Sequence, residues 1–262
     1  MICLKADHLD IRQIAASGQC FRMRESDGGL CICAADRWVT AHRGDGILQL
    51  DCGPEEEAFW SSYFDLDTDY GAFVSAIDPG DGYLKAAADF GSGIRILRQD
   101  LWEMIVTFLI SQQNNIPRIK RCIDNICTAY GEDRGGWHAF PGPEVLARLS
   151  EDALMPCNLG YRSKYVVRSA RQVVEGKPDL EQIKKLPYPQ AREELQKFYG
   201  VGAKVADCIC LFALHHLDAF PVDTHIRQVF EAQYPGGFPF ERYRGFAGVL
   251  QQYIFYYDLK GR

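Results

Sequence analysis

The sequence predicts an α+β fold: a small antiparallel β-rich region at the N-terminus, followed by a domain made almost entirely of helices. Two observations carry this expectation. Up to residue 53 the apolar residues fall in short β-rich runs broken by Gly/Asp turns. From Pro54 onward they recur at helical spacing, and strand-like runs disappear. The 262 residues are 47% hydrophobic and 24% charged, enough apolar material for a large core or two modest ones. That composition excludes a disordered tail, a collagen-like fibre and a small disulfide-stapled scaffold.

Taken in order, Leu30 to His42 (LCICAADRWVTAH) and Ile47 to Cys52 (ILQLDC) read as strand material. Turn signals stand at Asp27-Gly28-Gly29 and Gly44-Asp45-Gly46. PEEEAFWSSYF then opens with proline and acids, which suit the positive end of a helix, and Phe59, Trp60, Tyr63 and Phe64 follow at helical spacing. Leu101 to Ile110 is apolar enough for a buried helix, and the polar knot Ser111-Gln112-Gln113-Asn114-Asn115 ends it. Ile116 to Tyr130 is amphipathic, with Ile116, Ile119, Ile123 and Ile126 on one stripe and Arg118, Lys120 and Arg121 facing away. Further helices are expected over 142–150, 161–174, 190–198, 203–217, 225–232 and 240–257. The expected division is 1–98 for the sheet-bearing domain and 99–262 for the helical one.

The net charge of −6 argues at first against a nucleic-acid partner. It is unevenly spread: residues 1–98 hold 9 basic against 16 acidic side chains, whereas 118–204 hold 15 against 11. Binding follows the local field, so the second half can present a basic face. The run Gly160 to Arg171 holds Arg162, Lys164, Arg168 and Arg171 with no acid; Arg168 and Arg171 read as a solvated face. The ten cysteines include no CxxC pair and mostly sit in apolar runs, which reads as buried thiols in a reducing compartment and not as a zinc site. The N-terminus lacks the basic-then-apolar pattern of a signal peptide, and no apolar window is long enough to span a membrane. A soluble intracellular protein is expected.

The most informative segment is Leu195 to Leu214, LQKFYGVGAKVADCICLFAL. One helix ends near Phe198-Tyr199, Gly200-Val201-Gly202 bends the chain, and a second helix starts at once. Glycines at Gly200 and Gly202 permit positive φ and a close backbone approach, and Val201 pins the bend to the core. Exposed amides with the helix dipole behind them make a sequence-independent phosphate site, although a plain αα-corner would show the same G-x-G. Lys204 lies in the first turn of the second helix, where the dipole destabilises an ammonium and leaves more neutral, nucleophilic amine. Nineteen residues on, Phe220-Pro221-Val222-Asp223-Thr224-His225 sets Asp223 just before a helix. Asp223 reads both as an N-cap and as a carboxylate placed near an electron-deficient centre.

On these segments the chain resembles the helix-hairpin-helix DNA glycosylases, and within them the bifunctional 8-oxoguanine DNA glycosylase/lyases. The resemblance covers nearly the whole chain. It is supported by Ser17-Gly18-Gln19-Cys20-Phe21-Arg22, Leu97-Arg98-Gln99-Asp100, SQQNNIPRI from Ser111 to Ile119, Leu159-Gly160-Tyr161-Arg162, and Phe246-Ala247-Gly248 through Leu259. It implies a helical glycosylase domain with the hairpin at about 190–215. Lys204 would attack the sugar and form a Schiff base that drives β-elimination, with Asp223 supporting the oxocarbenium-like transition state. Relatives without this lysine activate water and stop at base removal.

For the damaged base, the resemblance places the Gly18 carbonyl as acceptor for the N7–H that 8-oxoguanine has and guanine lacks. It sets Phe255 against the flipped base, Gln251 on its Watson–Crick edge and Cys208 in the pocket lining. From sequence alone Phe255 reads as core. Gly200, Gly202 and His225 would meet phosphates, His225 also having a structural reading. Gln113, Arg118, Tyr161 and Arg162 would wedge the duplex and read the opposite base. Gln113 stands where close relatives carry asparagine, which puts the tightness of that wedge in question. The implied partner is double-stranded DNA with 8-oxoguanine opposite cytosine, bound by a monomer that acts in the cytoplasm or nucleoid of a prokaryote or the nucleus of a eukaryote. No cysteine follows Cys210, so no iron–sulfur cluster is expected; the hairpin carbonyls are a candidate site for a structural monovalent cation. Two other readings stay open: a glycosylase of this fold for a different lesion, and a non-catalytic helix-hairpin-helix DNA-binding module.

Overall fold

The computed structural model describes residues 1–44 and 46–261, so the expected turn at Asp45 lies outside the described residues. Five strands, β1 (Ile2–Lys5), β2 (Met23–Ser26), β3 (Gly29–Ala34), β4 (Arg37–Gly44) and β5 (Ile47–Leu50), form one sheet in the order β1-β5-β4-β3-β2. Strands β1 and β5, β2 and β3, and β4 and β5 pair antiparallel, with Ile2 opposite Leu50 and Met23 opposite Ile32. The expected 30–42 run is two strands, because the chain turns at Ala35, whose φ is 52°. Buried positions change parity across that turn, from Leu30, Ile32 and Ala34 to Val39 and Ala41. A period-two chain can keep both strands facing one core only by such a phase change. A helix not expected from the sequence, α1 (Ile11–Ala16), follows β1; the Asp10 side chain caps it by accepting from Arg12 and Gln13 amides.

Helices α2 (Glu57–Tyr63), α3 (Tyr70–Ser75), α4 (Gly82–Phe90), α5 (Leu101–Ser111), α6 (Ile116–Tyr130) and α7 (Pro143–Ala147) come next. They are followed by α8 (Arg162–Val174), α9 (Leu180–Ile183), α10 (Tyr188–Leu195), α11 (Ala203–Phe212), α12 (Thr224–Gln233) and α13 (Ala247–Lys260). The expected 142–150 helix covers only Pro143–Ala147, and two others are broken by left-handed residues. The one begun at Ala203 stops at Phe212, before His215 adopts φ 56°. The 240–257 span breaks at Gly245, φ 93°, whose amide is held by the Asp218 carboxylate, and only then does α13 begin.

The chain divides into two compact units, Met1–Ile32 with Val39–Arg98 and His215–Arg262, and Cys33–Trp38 with Gln99–Leu214. The sequence boundary at 98/99 recurs, but the last segment belongs with the first unit, not with 99–214. The reason is packing: α13 lies against α4, and the Asp78 amide donates to Tyr243 Oη at 3.2 Å. Sequence order alone carries no sign of that return.

The first unit is organised round buried aromatics (Trp60, Phe64, Tyr70, Tyr253) and a polar node. Arg95 donates to Phe64 O at 3.1 Å and to Asp7 O at 2.7 Å, with its guanidinium 4.2 Å from the Tyr70 ring centroid. Asp65 accepts from Tyr70 Oη and Thr68 Oγ1 at 3.0 Å and Arg98 at 2.8 Å, and its carboxylate lies 3.0 Å from His215 Nε2. Burial pushes its carboxyl up, but His215 and Arg98 outweigh burial and hold it below the usual aspartate value. The second unit is built on α5, buried from Leu101 to Ile110 and packed on α6, α8 and α11.

Candidate active site

In the second unit α10 ends at Leu195 and the chain reverses before α11. Val201 donates to Phe198 O at 3.1 Å and is buried, so it does pin the bend. Gly200 has φ 89°, and a Cβ there would meet the Tyr165 ring at 2.8 Å, so both conformation and space require glycine. Gly202 differs from the expectation. Its φ is −93°, an ordinary extended value, and nothing lies within 4 Å of where its Cβ would be. The absent side chain therefore leaves the start of α11 open outward and accommodates no neighbour within the chain.

Gly202 is the N-cap of α11, and no side chain caps it. Lys204 follows in the first turn, half-buried, with Nζ 5.8 Å from the Phe108 ring centroid; that ring stacks on Phe212. Cys208, one turn on, is buried. Behind them Asp207 braces α11 to α10, accepting from Tyr188 Oη at 2.8 Å and Arg192 Nε at 2.5 Å. Burial, then the neighbouring Asp207 carboxylate, pushes the Tyr188 hydroxyl up, which keeps it a donor.

Gln113, Arg118, Tyr161 and Arg162 also belong to the second unit, and three of them present exposed surface. Gln113 is exposed at φ 48°; Tyr161 is 46% exposed; Arg118 is exposed and reaches Asn158 O at 3.3 Å. Arg162 departs from the expectation of an outward-reading arginine. It is only 4% exposed, and its guanidinium is spent on backbone carbonyls: Gln112 O (2.9 Å from Nε), Gln113 O (3.0 Å from Nη2) and Leu159 O (3.3 Å from Nη1). Its Cζ also lies 4.5 Å from the Tyr161 ring centroid. Once buried, an arginine needs several acceptors, and the carbonyls left over where α5 ends supply them. Arg171 is exposed and the Arg168 side chain is 40% exposed, as a solvated face requires, while they bond the Ala147 and Leu149 carbonyls and Glu151 (2.7 Å) respectively.

In the first unit, Asp223 is the N-cap of α12, accepting the Ile226 amide at 2.9 Å through Oδ1. Two turns of α13 bring Gln251 and Phe255 to the same region. Gln251 is buried and donates to Pro221 O at 3.1 Å, two residues before Asp223. Phe255 is only partly buried, so the core reading does not hold; its ring meets His225 edge-on at 5.7 Å. Sequence reading missed Asp258, one turn further on α13, which accepts His225 Nδ1 at 2.9 Å and orients that ring. It also missed Gln19. Gly18, at φ 78°, ends α1, and the buried Gln19 side chain fixes it by donating to Arg95 O at 2.9 Å and accepting the Leu97 amide at 2.9 Å. The only signal in the sequence was a glutamine among apolar neighbours.

Six of the ten cysteines are buried, only Cys3 is exposed, and none is in a disulfide. Among the described residues no group of three or more His, Cys, Asp or Glu side chains is placed to hold a metal. At the hairpin, the carbonyls of Phe198, Gly200 and Gly202 accept hydrogen bonds from Val201, Gln112 and Ala206. No helix among the described residues is long and apolar enough to cross a membrane.

A glycine bend feeding a lysine-bearing helix start is the arrangement of a base-excision repair class: residues 106–235 match the family model for HhH-GPD superfamily base excision DNA repair proteins. Residues 1–105 match the model for the 8-oxoguanine DNA glycosylase N-terminal domain, and the chain belongs to the 8-oxoguanine DNA glycosylase family. A crystal structure of the Clostridium acetobutylicum 8-oxoguanine glycosylase/lyase, bound to duplex DNA with cytosine opposite 8-oxoguanine, is 36% identical. It superposes with a TM-score of 0.90 over 97% of this chain and 93% of that one. A probable N-glycosylase/DNA lyase of Methanothermobacter thermautotrophicus is 30% identical, over 73% of this chain and 71% of its own. The N-glycosylase/DNA lyase of Saccharomyces cerevisiae is 36% identical over 70% of this chain, which spans about half (54%) of that relative's length.

Proposed function

We propose that this protein excises 8-oxoguanine from duplex DNA and then cleaves the strand by β-elimination, with Lys204 as nucleophile. The observation that carries the reading is Lys204 in the first turn of a helix whose N-cap is glycine, in a chain of this family. The Lys204 amine attacks C1′ and the C1′–N9 bond breaks, its electron pair leaving with the base, which takes up a proton. The ring opens to a protonated Schiff base. That electron-poor centre acidifies C2′–H; loss of this proton expels the 3′ phosphate as leaving group. Water cannot replace the amine here, because only an amine gives the iminium that drives elimination.

Positive charge develops on the sugar as the base departs, and a carboxylate opposite it lowers the transition state more than the ground state. Asp223 fills this role while its Oδ1 caps α12. The Gly18 carbonyl accepts the N7–H of the oxidised base and repels the bare N7 lone pair of guanine; Phe255 stacks on the base and Gln251 meets its Watson–Crick edge. Cys208 lines the pocket floor. His225, held by Asp258, and the open Gly200–Gly202 bend hold phosphates. Gln113 and Tyr161 fill the gap and Arg118 reads the opposite cytosine, with Arg162 holding their frame. The chemistry uses no metal or cofactor, and the protein works as a monomer in a reducing intracellular compartment, which suits ten cysteines outside any disulfide.

The deciding experiment is borohydride trapping on an 8-oxoguanine:cytosine duplex alongside a panel of other lesions. A covalent adduct specific to 8-oxoguanine and absent in Lys204→Gln is expected. No adduct, or one that survives the substitution, overturns the reading, as does preference for another lesion.

A further inference from the structure

Three segments of the second unit meet at one backbone turn. Helix α5 ends at Ser111, Gln112 leaves it with extended geometry (φ −61°, ψ 124°), and Gln113 follows at φ 48°. A left-handed glutamine is disfavoured by on the order of 1 kcal/mol or more, so the surroundings must hold it there. From α8, Arg162 binds the carbonyls of both Gln112 and Gln113. From the hairpin, Gly200 O accepts Gln112 Nε2 at 3.1 Å, and the same amide group reaches Leu109 O at 3.3 Å. Gln112 thus has its carbonyl on Arg162 and its side chain on the bend. Tyr165 of α8 backs this link, lying against Gly200 and meeting Tyr161 and Tyr199 edge-on at 5.6 and 5.4 Å.

The two ends of this connection are the parts that engage DNA in the function proposed above. Gln113 is the exposed tip of the turn; Gly200 stands four residues before Lys204. We infer that Gln112 is a positioning residue that couples the Gln113 wedge to the helix start carrying Lys204, so that the base opposite the lesion influences the rate of excision. The inference rests on that reading of Gln113 and Lys204. Gln112 touches neither sugar nor base; it acts through Gly200 on one side and Gln113 on the other. A displaced Gln113, as with a poorly fitting partner base, pulls on Gln112 and shifts the bend, and small misplacements of a nucleophile carry large rate penalties.

The test uses the full chain with Gln112→Met, which keeps the length of the side chain and removes its donor, and Gln112→Glu, which keeps its shape. In the free protein, amide hydrogen exchange at Val201 and Gly202 should accelerate by roughly 10-fold or more, as expected when a local tie is cut. Single-turnover excision opposite cytosine should fall by on the order of 10-fold, with duplex affinity within about 3-fold of the parent. The ratio of rates opposite cytosine and opposite adenine should fall towards one. Adding Gln113→Ala should bring little further loss, because the two residues act in series. A merely structural Gln112 would lower the melting temperature and leave that ratio unchanged. Unchanged exchange, an unchanged ratio, or additive losses each overturn the inference; if the Met variant does not fold, the Glu variant decides. If the parent protein releases no base from any duplex, the proposed function fails, whereas the exchange measurement still decides the Gln112 tie.

Discussion

Helix α11 starts on a glycine and helix α12 on an aspartate, and the two starts divide the proposed chemistry between them. At α11 no side chain caps the first turn, the Gly202 face is open, and a lysine stands where a helix dipole least favours a cation. At α12 the carboxylate of Asp223 satisfies the Ile226 amide and completes the helix. The first start forgoes stability in order to leave amides and an amine available. The second makes a residue needed for stability serve also as a charge. One residue can do both because a carboxylate has two oxygens and the cap uses only one.

The sharpest break of this comparison is at Lys204. Lys204→Gln should abolish borohydride adducts and lower strand cleavage by on the order of 10³-fold or more, while the melting temperature stays level or rises, measured by single-turnover kinetics and calorimetry. At Asp223 the two roles can be separated. Asn caps as well as Asp, so Asp223→Asn should keep the melting temperature within a few degrees yet lose on the order of 10²–10³ in excision rate. Asp223→Ala should add a stability loss of about 1 kcal/mol. Equal kinetic and thermal damage from both substitutions would show that Asp223 is only a cap.

Smaller effects sharpen the picture of the bend. Gly200→Ala should cost roughly 1–3 kcal/mol, from its φ of 89° and the Tyr165 ring, in denaturant titration. Gly202→Ala should cost at most about 1 kcal/mol, the difference between glycine and alanine at an N-cap, and weaken duplex binding, because an incoming backbone needs that space. The smallest effect is confined to acid and concerns the frame of the first unit. Asp65 is held below its ordinary value, so on acidification the unfolded chain takes up the proton first. Its stabilising contribution is full above the usual aspartate range, ~3.9, and is lost as pH falls through the folded value. Urea midpoints followed from pH 7 downward should therefore fall less steeply in acid for Asp65→Asn, which starts from a lower midpoint.

Much of the site was legible in the chain because its signals are local. Gly200 needs its positive φ, Val201 its buried face, and Asp223 caps the helix that follows it; each depends on residues within one turn. The positions that were misread or missed depend on distant partners. Arg162 looked outward in a basic run, yet it is buried because the end of α5 supplies two carbonyls and Leu159 a third. Gln19, Gln112 and Asp258 lie in segments that carry the resemblance, but nothing local gave their roles, which come from bonds to residues 33 to 88 positions away. Gln113 was noted as a longer amide in place of asparagine, but not as a left-handed residue. Asparagine tolerates that conformation better, so the replacement adds strain as well as reach.

The sequence by itself determined the order of sheet and helices, the glycine bend, the lysine and the capping aspartate, because periodicity, turn chemistry and capping act over a few residues. Only the tertiary structure decided that the last helix rejoins the first unit, and that Gln112 ties the bend to the wedge turn. It also decided that Asp258 orients His225. These outcomes follow from satisfying buried hydrogen-bonding groups across long stretches of chain, and such a requirement selects partners by position in space and not by neighbourhood in sequence.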